Sequence, residues 1–268
     1  MRIMLIDGLN YIFRSLVVLY TAPTVGWGEQ PSPNVVIENT FKNLRFTVDS
    51  LRPDRVYFVL EGHPQFRYDL LPSYKANRTP DDSKKEMMAK FFAQKELVIS
   101  LLSDYLPISV IKHNDYEADD LIYTMVKSFP QDECIIISGD SDFIQVLDEC
   151  KNTCIYNSIK KEFVKKCEYD YVTWKSLRGD KTDNIKGIPK VGEVTALKLM
   201  KNKEAFDALL SDPIKKDIFD RNVSLIKFRL ISSNEMTNLS ISNPKFDIDS
   251  LFDKFKELEF SNSFFTSY

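Results

Sequence analysis

The sequence predicts an α/β fold built round a parallel sheet, and three observations predict it. Short apolar runs alternate with longer stretches in which apolar residues recur at helical spacing, the pattern of strands joined by crossover helices. The run RVYFVL is near-continuous in apolar residues, as a strand covered on both faces must be. Carboxylates stand just past such runs, at Asp7, Glu61 and Asp140, and open α/β sheets place their sites at the carboxyl ends of strands.

Taken in order, RIMLID is the first strand, followed by a helix from about Asn10 to Tyr20 and a Pro/Gly-containing loop from Ala22 to Pro33. Val35, Val36, Phe41, Leu44 and Val48 then recur at helical spacing, and Arg52-Pro53 ends that helix near Leu51 because proline cannot continue it. RVYFVL is the second strand. A second long helix is expected from Ser83 to about Leu106, capped by Asp82 or Ser83. PISVI reads as strand, YEADDLIYTMVKSF as helix, ECIIIS as strand and DFIQVL as a short helix. There is no internal repeat and no low-complexity segment.

Nine carboxylates fall in five short clusters: Asp7, Glu61, then Glu117, Asp119 and Asp120, then Asp140 and Asp142, then Asp180 and Asp183. Each cluster alone has a modest explanation, since acids in a first helical turn favour the dipole and an Asp at a strand-to-helix turn caps it. Their joint occurrence points elsewhere. A unit-charge pair at ~4 Å repels by ~4 kcal/mol at a surface-like dielectric, so a fold that gathers them requires a cation. Oxygen-only ligation with neither His nor Cys nearby suits magnesium or manganese rather than zinc. In a helical reading Glu117 and Asp120, three apart, share a face and reach one ion, with Asp119 flanking.

With 268 residues, 43% of them hydrophobic, the chain can fill a substantial core. The four cysteines include no CxxC pair and fit a reducing compartment. No apolar run approaches membrane-spanning length and no cleavable leader is evident, so a cytoplasmic protein is expected. The formal charge is −3; with the nine acids set aside, the rest of the chain stands at +6, and much of that excess falls between Lys160 and Lys203.

Two segments read as nucleic-acid contacts. Gly187 to Gly192 is a tight Gly/Pro turn between a helix through Trp174 and Leu177 and another apolar-periodic helix. It reads as a helix-hairpin-helix in which Gly187 and Gly192 let backbone amides approach a phosphate while Lys186 and Lys190 add charge. The polar loop after the second strand carries Arg67, Tyr74, Lys75 and Arg78 and leads into a helix bearing Lys84 and Lys85. That set suits a lid gripping a strand, an aromatic stacking a base and cations holding phosphates.

In order, LIDG at Asp7, SYKANR at Tyr74 to Arg78, YEADDL at Glu117, GDSDF at Asp140 and RGDKTDNIKGIPKVGEVTA from Arg178 resemble the 5′ nuclease (flap endonuclease) family. That family includes phage enzymes and the nuclease domain of bacterial DNA polymerase I. RNVSLIKF at Arg221 to Phe228 and LEFSNSFF at Leu258 to Phe265 extend the match over nearly the whole chain. The resemblance implies a PIN-like nuclease core over 1–160, with a helical arch over 70–103. It also implies a helical DNA-binding region over 161–268, with the helix-hairpin-helix near 185–200, packed as one unit.

The resemblance places Asp7, Glu117, Asp119, Asp140 and Asp142 on a first metal site and Asp180 and Asp183 on a second, with Asp120 and Glu61 in support. Where the family has Asp, this chain has Glu61, which reaches an ion directly or through water. Lys75 and Arg78 fall on the family's catalytic cations beneath the arch. The implied activity is two-ion hydrolysis at 5′ ends, flaps, forks or nicks of DNA and at RNA primer junctions, leaving 5′-phosphate and 3′-hydroxyl. The implied cofactors are Mg2+, with Mn2+ as substitute, and K+ at the hairpin; the implied partners are a polymerase or single-strand-binding protein, and the chain acts as a monomer.

Three other classes remain. A silent DNA-junction-binding module would keep the hairpin but have no reason to hold nine acids. A PIN-type ribonuclease would share the acidic sheet edge without arch or hairpin. A magnesium-dependent phosphatase fits least, because Gly-Leu-Asn rather than a second Asp follows Asp7.

Overall fold

The computed structural model describes residues 1–21, 34–78, 82–260 and 264–265, without the side chains of 16–21, 82–84, 86, 87 and 90. The loop expected from Ala22 to Pro33 and the cap expected at Asp82 or Ser83 lie outside what is described.

Strand β1 (Arg2–Asp7) runs into α1 (Gly8–Thr21), and α2 (Val35–Leu51) ends where Arg52, ahead of Pro53, turns left-handed. After β2 (Arg55–Leu60) come α3 (Gln65–Leu70), a 3-10 turn at Ala76–Arg78 and α4 (Asp82–Tyr105). The alternation continues through β3 (Ile108–His113), α5 (Ala118–Ser128) and β4 (Glu133–Ile137). DFIQVL, expected as one short helix, divides into a 3-10 turn at Ser141–Gln145 and α6 (Val146–Glu149). Then β5 (Thr153–Asn157) and β6 (Glu162–Phe163) form a hairpin. The helical region holds α7 (Tyr171–Arg178), β7 (Gly179–Asp180), β8 (Ile185–Lys186), α8 (Glu193–Met200), α9 (Lys203–Leu210) and α10 (Pro213–Ile226). The chain then returns to the sheet with β9 (Leu239–Ile241) and closes with α11 (Ile248–Glu257).

The seven-stranded sheet has the order β6-β5-β4-β1-β2-β3-β9. Strands β1 to β5 are parallel and the two edge strands antiparallel, so the expected parallel-sheet α/β core is present. Its register sets up the site. Asp7 pairs with Val59 and Ile6 with Ile137, which brings the carboxyl ends of β1, β2 and β4 level and delivers Asp7, Glu61 and Asp140 to one edge.

The pleat divides the core in two. Met4 and Ile6 join a cluster with α1, α2, α4 and α11, while Ile3 and Leu5 face the other way into a cluster with α5. Phe58 and Val59 are the fully buried residues of β2, so its apolar run overstates how completely it is covered. In α4, Phe91, Val98, Leu101 and Leu102 belong to the first cluster, so the second half of the arch expected over 70–103 is core. The C-terminal segment packs there as well: Phe255 stacks on Phe260 at 4.6 Å and meets Phe264 at 5.1 Å. Among the described residues, no helix is long and apolar enough to cross a membrane.

Candidate metal centre and its basic rim

Asp7 is the last residue of β1 and is buried. Ser138 donates its hydroxyl to Asp7 Oδ2 at 2.9 Å and accepts from the Asp140 N–H at 3.0 Å, tying the acid that ends β1 to the one that follows β4. Asp140 in turn accepts from the Asp142 N–H at 2.9 Å, so its capping role and its place in the cluster coexist. At Gly139 the Arg14 guanidinium packs close against the turn, its carbon 2.3 Å from where a Cβ would stand. Burial, then Glu61 and Asp140, push the Asp7 carboxyl up to about 7. Burial, then Asp7 and Asp140, raise Asp119 well above its ordinary value. Glu61 is open to solvent on one side, but crowding by protein on the others raises its carboxyl too, with Lys75 opposing and Glu117 adding to the rise. Acids this crowded keep their charge at neutral pH only beside a cation, and their oxygen-only donor set fits magnesium or manganese.

Asp120 is a correction to the spacing argument. Glu117 caps α5 with extended backbone rather than lying within the helix, so the three-residue rule does not bring the two acids to one ion. Both Asp120 oxygens instead accept from Arg67, at 2.5 and 2.8 Å, and Asp120 also accepts from the Arg229 N–H at 2.8 Å. Arg67 is 2% exposed and also stands 2.8 Å from Glu117. It therefore cannot grip a DNA strand; it is the internal counter-ion of the acidic cluster.

Tyr74 is corrected for the same reason. It is 4% exposed, in a small core with Ile185, Leu225 and Ile226, and cannot stack a base. Its hydroxyl lies 3.0 Å from Glu117 Oε2 and 3.2 Å from Asp183 Oδ2, bridging the two acidic groups. The whole SYKANR stretch docks on the turn between β7 and β8. The Lys75 N–H donates to Asp183 O at 3.0 Å, Asn77 to Lys181 O at 2.6 Å and Asn184 to Ser73 O at 2.8 Å. These bonds hold Lys75 at a φ of 54°, costly for a residue with a Cβ. The Lys75 ammonium then meets Glu117, and Arg78 meets Asp183 at 2.5 Å. Burial works to raise Glu117, but Lys75 and Arg67 outweigh it and hold its carboxyl low.

Asp142 departs from the first-site placement that the resemblance implies: its oxygen lies with those of Asp180 and Asp183, all within 4.8 Å of one another. Sequence reasoning missed what lies among them. Lys175, on α7 and 4% exposed, contacts Asp142 and stands 2.6 Å from Asp180. Against burial, its charge holds the Asp180 carboxyl below the ordinary range. A lone lysine in a helix gives no signal in sequence, as its usual place is the solvated face.

In the expected helix-hairpin-helix, α7 leads through β7 and β8 into α8, and Lys186, Lys190 and Gly192 are exposed. Gly192 caps α8 with open space where a Cβ would stand, so a phosphate can approach it. Gly187 does a different job from the one expected: a Cβ there would stand 2.2 Å from the carbonyl carbon of Arg178, and its absence lets β8 close on α7. On α4, Lys85 is exposed, and the Lys84 side chain lies outside those described.

The sequence profile of the 5′-3′ exonuclease, N-terminal resolvase-like domain matches residues 2–175. The chain belongs to the 5′-3′ exonuclease family. The nuclease reading of its motifs is borne out at that level. Among relatives, this family member is 28% identical over 224 residues to a 5′-3′ exonuclease of Bacillus subtilis, covering 79% of this chain and 73% of that one. It is also 28% identical over 255 residues to the DNA polymerase I of Streptococcus pneumoniae, covering 89% of this chain but spanning only 28% of the polymerase. The fold matches the bacteriophage T5 flap endonuclease in complex with DNA and metal ions, with a TM-score of 0.67 and 17% identity over 97% of this chain and 98% of that one.

Proposed function

We propose that the chain is a structure-specific, divalent-metal-dependent 5′ nuclease. It hydrolyses phosphodiesters at 5′ ends, flaps and forks of DNA, and at RNA primer junctions, leaving 5′-phosphate and 3′-hydroxyl. The observation that carries this reading is the docking of SYKANR onto the Asp180–Asn184 turn, which sets Lys75 and Arg78 against the acids of both groups. Asp7, Glu117, Asp119 and Asp140 are the candidate holders of one ion and Asp142, Asp180 and Asp183 of the other, with Glu61 at the lip and Asp120 acting through Arg67. Bound divalent ions would supply charge stabilisation and lower the pKa of an attacking water.

The chain's own residues do the rest. Lys75 and Arg78 hold two positive charges at the mouth of an acidic crevice, where they can meet the non-bridging oxygens of a phosphate as negative charge grows there. Tyr74 and Arg67 fix the carboxylates beneath them. Lys186, Lys190 and the open backbone at Gly192 grip the duplex through phosphates, without reading sequence. Magnesium as the working ion, with manganese in its place, and potassium at the hairpin belong to this proposal. So do a polymerase or single-strand-binding protein as partner, monomeric action and a cytoplasmic setting.

The test is cleavage of a 5′-labelled forked DNA with magnesium or with EDTA. Magnesium-dependent cutting near the fork is expected, with Asp140→Asn and Lys75→Ala each losing about 10²–10³-fold in turnover. Binding of the fork without cutting would show a DNA-binding protein instead, and cutting of single-stranded RNA in preference to the fork would favour a PIN-type ribonuclease.

A further inference from the structure

In sequence the stretch RNVSLIKF carries only a family resemblance, yet buried hydrogen bonds tie it to the acidic centre. Asn222 is fully buried and donates both amide protons to backbone, at 2.9 Å to Ser176 O on α7 and at 2.9 Å to Lys186 O on β8. Gln145 donates to Asp142 O at 3.0 Å and to Ile226 O at 3.3 Å, and accepts from the Phe228 N–H at 2.9 Å. One segment thus joins the turn that carries Asp142 to the hairpin that carries Asp180 and Asp183. Neither amide touches a carboxylate.

The hairpin needs such a clamp. β7 and β8 have two residues each, too few for an independently stable pair, while the three carboxylates it helps to gather repel one another. Resting on the two-ion reading, we infer that Asn222 and Gln145 are positioning residues for the second ion: they set the distance between Asp142 and the Asp180–Asp183 hairpin through the backbone. Outer contacts of this kind tune metal affinity without supplying a ligand.

Asn152 provides the control. It donates to two carbonyls in the same way, Phe129 O at 2.9 Å and Asp132 O at 2.6 Å, but at the amino ends of β4 and β5, away from the acids. Mn2+ binding to the full chain is titrated by electron paramagnetic resonance for wild type, Asn222→Ala and Asn152→Ala. Expected are two classes of bound Mn2+ in wild type, one of them weakened about tenfold or more in Asn222→Ala with the other unchanged, and a wild-type isotherm in Asn152→Ala. The near-isosteric Gln145→Met should show the same loss, and it replaces Asn222→Ala if that variant does not fold. A wild-type isotherm in Asn222→Ala or Gln145→Met overturns the positioning role and leaves the two-ion reading standing. Absence of a second Mn2+ class in wild type overturns the two-ion reading itself.

Discussion

Lys175 Nζ stands 2.6 Å from Asp180 Oδ2, and both side chains are buried. The same ammonium contacts Asp142, so a protein cation lies among the acids proposed for the second ion. Replacing one partner of a buried pair leaves the other uncompensated, at a cost of about 3–5 kcal/mol. Lys175→Met should therefore be less stable than wild type without divalent ions and should recover much of the loss when magnesium is added. Thermal unfolding of both proteins with and without magnesium checks this. Equal magnesium-induced shifts would show that Lys175 and the ion do not act on the same carboxylates.

The Arg67–Asp120 pair predicts non-additivity. Each residue is nearly inaccessible and they share two hydrogen bonds; Arg67→Met leaves Asp120 without its cation, while Asp120→Leu leaves Arg67 with Glu117 as its remaining carboxylate. The double variant should lose less than the sum of the two, by about 1–3 kcal/mol in a denaturation cycle. Strict additivity would mean that the pair contributes nothing as a pair.

These two pairs also show what the sequence could disclose. Asp7 and Asp140 were legible because strand length and pleat fix where a residue just past an apolar run must stand. Arg67 and Tyr74 were misread because a basic, aromatic loop has the same composition whether it faces DNA or turns inward to neutralise acids. Lys175, Asn222 and Gln145 were illegible for a related reason: each acts through at least one partner 33 to 83 positions away in sequence, and a polar residue in a helix ordinarily faces solvent. Strand β9 is hidden because LSI carries little apolar pattern of its own, and β5 because its apolar run, Cys154 to Tyr156, is only three residues long; both form by pairing, to β3 and to β4. Lys75 and Arg78 acquired a catalytic assignment only from the family resemblance.

Glu235 predicts an acid-sensitive joint at the sheet edge. It accepts from the Ser232 hydroxyl at 2.6 Å and from the Tyr116 hydroxyl at 2.5 Å, and it pairs with Arg229 at 2.7 Å. These contacts, Ser232 foremost and then Tyr116, depress its carboxyl to about 2. A group with a depressed folded-state pKa contributes stability above its unfolded value, near 4.5, and loses it as pH falls towards about 2. Wild-type stability should therefore decline across that window, and Glu235→Gln should decline less steeply. Parallel pH profiles would remove Glu235 from the account.

The two hairpin glycines predict opposite outcomes. At Gly187 a methyl group would meet the Arg178 carbonyl carbon at 2.2 Å and the Gly179 nitrogen at 2.7 Å. Both are backbone atoms that cannot swing aside, so Gly187→Ala should cost about 1–3 kcal/mol in folding stability. At Gly192 nothing lies within 4 Å of the added atom and φ is an ordinary −94°. Serine is also a better helix cap than glycine, so Gly192→Ser should fold at least as stably as wild type. If a phosphate approaches the α8 terminus, the new side chain stands in its path and affinity for duplex-containing DNA should fall, while metal binding at the acids is unchanged. Chemical denaturation, paired with fork binding by fluorescence anisotropy in calcium, separates the two effects. Wild-type DNA affinity in Gly192→Ser would move the duplex contact off this turn and leave Lys186 and Lys190 as solvated charges.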